Sequence, residues 1–573
     1  MPERSRVRKR SAADILSARA GADEALDALV GQFTDPYSFL RELVQNSLDA
    51  GSTCVDVTFE HRADQGMAAI TVADNGEGMN EKIIDEHLLT LFSSTKENDL
   101  TKIGKFGIGF VSIFAIQPDL VILETGQAGE AWRLLFHPDA SFEKLSIDDE
   151  IIEGTTVTLL KAASAKHTDE IRERGGATVR YWCKYAEADI TIDGETVREP
   201  FDVDAPLSVR YSEPGTEIVV GPAPLAQAQS AREAHASTFV SVLPLVGFYN
   251  RGLTLVEGQQ LPGGEDDLAG LSFRIKSRYL EHTLTRDNVL VDESYRKAID
   301  LVRRQVSERL RPALYQHMEV AAQRRGEILS SAEHPATKPD GPPLEEAYLY
   351  ARLPALALDE HGEKAKVFPV LRGEPLSLAQ LRKVRTPVGV LLYAAKITPL
   401  VERLLGAGIT VLAYVPGFAE FLGKLELRAV PAASVLHTAV EVAASARDEA
   451  LLALATRLLD EAGCRLRRLC LGDLSYPDSV NAGALYLRQQ QAFGISQADE
   501  KPSLLGGARD IVLNVKHPLV AHGRKLAERD VTLAAALLAQ GVAALDGLDA
   551  EACDRIAADG LSRARRMAEG RGG

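Results

Sequence analysis

Apolar or small side chains at Leu40, Leu43, Val44, Ser47 and Leu48 recur at i, i+3, i+4, i+7 and i+8, which predicts a helix burying one face. The stretch Ala69 to Ala73 alternates instead and predicts a strand ending at Asp74. Phe110 to Ile116, apolar except for Ser112, predicts a buried helix. Farther along, residues 190–195 read as a strand with a turn, and 239–252 as a pair of buried strand segments. Ile299, Val302, Val306 and Leu310 mark an amphipathic helix. Residues 329 to 343 are poor in apolar side chains and rich in proline, so they predict a linker or exposed loop. Beyond them, 388–393 and 409–414 predict short buried strands flanking a helix around Leu400 to Leu405, a βαβ unit. The last region opens with a helix from Ala443 to Gly463 and a strand-like stretch from Leu466 to Leu471. An apolar segment, 511–520, then precedes a helix carrying Leu533, Leu537, Leu538 and Leu545.

This alternation of helices and strands places the chain in the α/β class. A length of 573 residues suggests three or four domains at ~150 residues each. The strand and turn at 190–195 mark a first junction near residue 199. A hydrophobic content of 45% suffices for packed cores. The formal charge of -16 argues against a primarily nucleic-acid-binding surface, because neutralising phosphates takes clustered Lys and Arg. The basic arm Arg4 to Arg10 reads as a solubilising tail, as do Arg563, Arg565 and Arg566. Five scattered cysteines without a C-x-x-C pair indicate neither a zinc site nor a disulfide framework and fit a reducing compartment. No apolar run approaches the ~20 residues that span a bilayer, and no apolar signal segment follows the basic N-terminus. A cytoplasmic location without membrane contact is therefore expected.

Opposite the apolar stripe of the first helix, Glu42, Asn46 and Asp49 fall at i, i+4 and i+7, so carboxylate and carboxamide project from successive turns. Such a pair suits a Mg²⁺ ion and a water. The ion takes oxygen ligands and keeps several waters, while the carboxylate orients and deprotonates an attacking water. Asp74, at a strand end, is placed to accept a hydrogen bond from an exocyclic amine such as adenine presents, and Gly76 and Gly78 let backbone approach a ligand closely. Gly104, Gly107 and Gly109 lead into the apolar run, where free N–H groups attract phosphate oxygens. The glycine spacing, with no strand immediately ahead, excludes a Rossmann fingerprint. Taken singly, E-x-x-x-N is a solvated helix face and Asp-Asn-Gly a tight turn.

In their order, Glu42 to Ala50, Asp74 to Met79 and Gly104 to Phe110 resemble the N, G1 and G2 boxes of the GHKL ATPase superfamily, which includes gyrase B, MutL, histidine kinases and the heat-shock protein 90 chaperones. The resemblance implies a Bergerat-type α/β sandwich with ATP held between helices and a mostly antiparallel sheet. It implies Asp74 on adenine, Asn46 on Mg²⁺ and Glu42 as general base. The implied nucleotide contacts also include Asp49, Gly78, Met79, Gly104, Lys105, Phe106, Gly107, Ile108, Gly109 and Phe110. Gly154-Thr155-Thr156 resembles a fourth box, in which Thr155 supports the contact made by Asp74. Ser93-Ser94-Thr95-Lys96 corresponds to the family's lid and adds Lys96.

Downstream, Thr285-Arg286-Asp287 resembles the middle-domain loop of the heat-shock protein 90 chaperones, which implies that Arg286 reaches the γ-phosphate as an arginine finger does. Leu513-Asn514, followed by His517-Pro518-Leu519-Val520, is similar to the C-terminal dimerization domain of the bacterial form of that family. His517, ahead of a proline, reads as structural. The chain departs from the pattern at Leu290, where Gln is usual, at Lys105, which is commonly Gln, and in a shorter lid. The resemblance implies an ATP-binding domain over 1–199, an α/β middle domain over 200–435 and a mixed α/β C-terminal dimerization domain over 436–573. The implied protein is an ATP-dependent chaperone, a homodimeric clamp whose partners are client proteins and co-chaperones. Two other readings stay open: a DNA-repair or topology ATPase resembling MutL or gyrase B, and a nucleotide-gated scaffold that scarcely hydrolyses ATP.

Overall fold

A computed structural model describes residues 35–89, 109–138, 141–147, 151–227, 239–241, 244–262, 264, 267–283, 288–331, 341–360, 362–497 and 509–569. Helix α1 (Ser38–Asp49) buries Leu40, Leu43, Val44, Ser47 and Leu48, as its spacing predicts. Strand β1 (Cys54–Arg62) alternates, with Val55, Val57 and Phe59 turned inward, and pairs antiparallel with β2 (Met67–Asp74). The expected strand therefore ends at Asp74. Past it, Asn80 caps a short helix α2 (Glu81–Ile83) that continues as a π-helical turn, Ile84–Leu88.

The remaining strands of this sheet are β3 (Leu120–Gln127), β4 (Glu130–Phe136), β5 (Phe142–Ser146), β6 (Gly154–Ala162), β7 (Asp189–Ile192) and β8 (Glu195–Thr196). Their order is β5-β4-β3-β6-β2-β1-β7-β8, antiparallel throughout except for the β1–β7 pair. Helix α3 (Ala165–Cys183) packs beside α1, and the two share one apolar core with the sheet: Leu40, Val44, Val57, Ile70, Ile113, Ile171 and Val179. The result is a two-layer α/β sandwich, the architecture the sequence implies.

The segment expected to be a buried helix differs. Residues 109–111 form a single turn that passes into a 3₁₀ helix, Ser112–Ile116. Ser112 Oγ donates to the Gly109 carbonyl at 2.5 Å, and Pro118 forbids continuation, so the chain leaves through Gln117 in a left-handed conformation.

Among the described residues two compact units emerge, with boundaries at Pro224, Ser241 and Val306. The first also holds a five-stranded sheet of β9 (Val209–Glu213), β10 (Thr216–Pro222), β13 (Val246–Asn250), β14 (Leu253–Gly258) and β15 (Leu271–Ser277), ordered β14-β13-β15-β10-β9. Between β10 and β13 in sequence, β11 (Leu225–Gln227) pairs with β12 (Phe239–Ser241). Helix α4 (Glu293–Gln305) buries Ile299 and Val302, as expected.

The second unit contains α5 (Arg311–Ser330), so helix reaches into the stretch read as a loop; residues 332–340 of that stretch lie outside the described residues. The expected βαβ unit is present: β16 (Leu391–Ala394), helix α6 (Pro399–Gly406) and β17 (Leu412–Ala413), with β16 and β17 parallel. A third parallel strand, β18 (Ala429–Pro431), lies on the other side of β16. Short β19 (Leu436–His437) pairs with β23 (Ser496–Gln497). The last sheet is ordered β20-β21-β24-β22, from β20 (Val440–Glu441), β21 (Leu466–Asp473), β22 (Tyr486–Gln489) and β24 (Arg509–Asn514). Helices α7 (Ala446–Glu461), α8 (Pro518–Leu526), α9 (Val531–Leu545) and α10 (Ala550–Glu569) accompany it.

Residues 511–520 are thus not one element. Pro518 is the first residue of α8, a position that needs no N–H donor, and the His517 side chain caps the turn by accepting from Leu519 N at 3.2 Å. The histidine is structural. Among the described residues no helix is long and apolar enough to cross a membrane.

Candidate functional site

A cavity of about 370 Å³ opens between α1, α2 and the strands β2, β3 and β6. Its lining brings together the sequence-predicted residues Asn46, Asp49, Asp74, Gly78, Met79, Phe110 and Thr155, which come from separate stretches of the chain. Leu43, Val72, Leu88 and Val157 give the interior an apolar wall, the usual make-up of a small-molecule pocket.

Asp74 is fixed from three directions. Its Oδ2 accepts Ser47 Oγ at 2.7 Å, and its Oδ1 accepts Ser52 Oγ at 3.1 Å and the Gly76 N–H at 2.8 Å. The carboxylate therefore has one preferred orientation at the cavity surface. The turn that follows is anchored separately, because Asn75 Oδ1 accepts from Thr53 N and Cys54 N, both at 2.9 Å.

Gly78 has φ 65, and a β-carbon there would collide with the carbonyl oxygens of Gly126 and Gly154. Only glycine allows this approach of three backbones. Next to it, the fully buried Thr125 accepts the Met79 N–H at 2.9 Å and lies 3.1 Å from the Gly154 carbonyl and 3.0 Å from Thr155 Oγ1. One hydroxyl thus ties the glycine-rich turn to the strand carrying Thr155.

Glu42 was expected opposite the apolar stripe of α1, yet it is buried, with 3% exposure. The reason is the turn at Gly109, which covers it: a β-carbon on Gly109 would stand 2.8 Å from Glu42 Oε2. Phe110 continues inward, its ring 5.3 Å from that of Phe136. Asn46 is half-buried and Asp49 exposed, so α1 runs from a covered carboxylate to an open rim. Beside Glu42, the buried Arg41 lies 4.2 Å over the Trp182 ring, and burial pushes its pKa down to about 10.

The donor set fits a Mg²⁺ ion that is shared with phosphate. The Asn46 side chain lines the cavity from α1 and offers an amide oxygen, a donor of the kind Mg²⁺ takes. Among the described residues no group of three or more His, Cys, Asp and Glu side chains is placed to hold a metal by itself. Phosphate and water oxygens would therefore complete the coordination.

Lys96, Gly104, Lys105, Phe106, Gly107, Ile108 and Arg286 lie outside the described residues. Ser52, Glu77, His87, Thr125 and Gln127 line or brace the cavity in addition to the sequence-predicted residues. Ser47, predicted only as a small residue of the apolar stripe, holds Asp74 as well. Thr125 carried a readable signal: on β3 it shares a face with Val121 and Leu123, so a hydroxyl was bound to face inward.

Residues 35–173 match the family described as histidine kinase-, DNA gyrase B-, and HSP90-like ATPase. This part of the chain is a GHKL-type ATPase domain. Among similar curated proteins, the chaperone protein HtpG of Anaplasma marginale (strain St. Maries) is 30% identical over 154 residues, 22% of this chain and 24% of that protein. HtpG of Actinobacillus pleuropneumoniae serotype 5b (strain L20) is 32% identical over 157 residues, covering 22% and 24%. HtpG of Rhodospirillum rubrum is 30% identical over 195 residues, covering 28% and 30%. The similarity thus spans 24–30% of the length of these relatives.

Proposed function

We propose that this chain is an ATP-hydrolysing chaperone of the heat-shock protein 90 type, working as a homodimer on client proteins, with co-chaperones as further partners. The observation that carries the reading is the convergence on one cavity of Asn46, Asp74, Gly78 and Thr155, with Glu42 buried on the same helix against Gly109. The family match over residues 35–173 and the HtpG relatives support it.

In this reading Asp74 accepts the adenine amine, and its three donors keep the carboxylate aimed. Thr125 and Thr155 brace that wall. Asn46 holds Mg²⁺, which when bound offsets the phosphate charge. Glu42 orients a water and takes its proton as the oxygen attacks the γ-phosphorus. The bond from that phosphorus to the β,γ-bridging oxygen breaks, giving ADP and phosphate. Arg286 is the proposed cation for the γ-phosphate. Nucleotide shifts the clamp only as far as it binds the closed state better than the open one. The C-terminal residues 436–573 are proposed to dimerize, and a cytoplasmic location goes with these assignments.

The test is ATP hydrolysis by the full chain and its Glu42→Ala, Asn46→Ala and Arg286→Ala variants, with nucleotide affinity and sedimentation recorded alongside. Glu42→Ala is expected to bind ATP and lose roughly 10²–10⁴ in turnover. Suppression of aggregation of a denatured test protein, changed by ATP only in the hydrolysing forms, completes the expectation. Wild-type turnover in Glu42→Ala removes the proposed base, and a monomer throughout removes the clamp.

A further inference from the structure

The hairpin joining β13 to β14 reaches from the five-stranded sheet to the helix of the nucleotide site. Its tip is Arg251-Gly252, with φ 48 and 85. A β-carbon on Gly252 would collide with the Tyr185 carbonyl oxygen, so the tip is seated against the chain that follows α3. Further contacts hold the hairpin there. Thr254 Oγ1 donates to the Tyr181 carbonyl at 3.0 Å, and Lys184 pairs at 2.9 Å with Glu257, a carboxylate that also accepts the Tyr249 hydroxyl. Seated in this way, the tip places Arg251 Nη1 3.2 Å from Asp49 Oδ1.

Asp49 lines the cavity together with Asp74 and Glu77, so an incoming polyphosphate meets negative charge. The Arg251–Asp49 pair is exposed, and as a stabilising contact it contributes little. Its location gives it another consequence. We propose that Arg251 is a positioning residue of the nucleotide site, holding the Asp49 carboxylate in place and offsetting its charge so that the cavity accepts a charged ligand. The inference rests on the nucleotide reading above and adds that the second sheet of this unit sets how strongly the site favours phosphorylated over unphosphorylated nucleoside.

The effect has a signature that structural damage lacks: its size follows ligand charge. Without the guanidinium, the unit charge left on Asp49 costs about twofold in affinity for each net ligand charge at low salt, the size of a unit-charge interaction across roughly 8 Å of water. In the presence of Mg²⁺, Arg251→Gln in the full chain is expected to bind adenosine unchanged, ADP about twofold more weakly and ATP about fourfold more weakly. Arg251→Lys should restore the wild-type series, about 0.5 M salt should flatten the differences, and adding Asp49→Asn to Arg251→Gln should abolish the grading. Equal weakening for all three ligands, or none for ATP, overturns the role of Arg251. If the wild type binds none of the three, the nucleotide reading itself falls.

Discussion

Glu42 and Gly109 meet at a distance only a hydrogen atom permits. A β-carbon on Gly109 would stand 2.8 Å from Glu42 Oε2 and 3.7 Å from its Cβ. Gly109→Ala should therefore push the carboxylate aside while leaving the Asp74 side of the cavity intact. Misplacing a catalytic group by about 1 Å costs on the order of 10² in rate. Hydrolysis should fall by about that factor, with ATP affinity held within a few fold. Steady-state turnover and calorimetric titration on the same preparation separate the two quantities. Unchanged turnover would mean that Glu42 is not the base.

Thr125→Val removes a hydroxyl at nearly constant volume. The Met79 N–H then loses its acceptor, and an unpaired polar group in a buried setting costs about 1–3 kcal/mol. Thr125→Ser keeps the hydroxyl and should recover most of that. Trp132 pairs in register with Thr125 across β3 and β4, so tryptophan fluorescence during urea unfolding reports on the right sheet. Equal stability of the Val and wild-type proteins would show that the hydroxyl does not brace the turn.

What the sequence reveals here follows from the range of the interaction. The stripe on α1, the strand ending at Asp74 and the βαβ unit around α6 are set by local spacing, and all three are legible. Glu42 is not: helix periodicity places it away from the apolar stripe, and the chain returns against it at Gly109, far along the sequence. Ser47 looked like a small core residue because its partner Asp74 is distant in sequence. The apolar run 511–520 hid a boundary, since Pro518 starts a helix as readily as it ends a strand. Helix α10 is not legible either, because in its charged, alanine-rich sequence the inward face is carried by the small residues Ala552 and Gly560 with a single Ile556 between them.

Gly78→Ala should be the most damaging small change near the site. The residue sits at φ 65 with carbonyls of Gly126 and Gly154 closing the space a side chain would need. Left-handed strain alone costs about 1–3 kcal/mol, and the collision adds to it. The expected result is a lower melting temperature together with loss of adenosine binding. Retention of both would mean that the glycine turn yields more easily than its packing suggests.

The acid limit of the second unit should depend on one ion pair. Arg524 donates to both carboxylate oxygens of Asp448, at 2.9 and 3.0 Å, and Ser445 adds two further hydrogen bonds at the N-terminus of α7. The guanidinium, despite burial, holds the Asp448 carboxyl at about 2, below its usual 3.8, and its side chain is only 7% exposed. A folded-state pKa below the unfolded value stabilises the fold at every pH above the unfolded value. That stabilisation, on the order of 2 kcal/mol, is lost as pH falls from about 4 toward about 2. Asp448→Asn should therefore be less stable at pH 7 and should show a shallower loss between about pH 4 and 2. Urea titrations followed by circular dichroism at several pH values measure both effects. Parallel pH profiles for the variant and the wild type would assign the acid limit to other carboxylates.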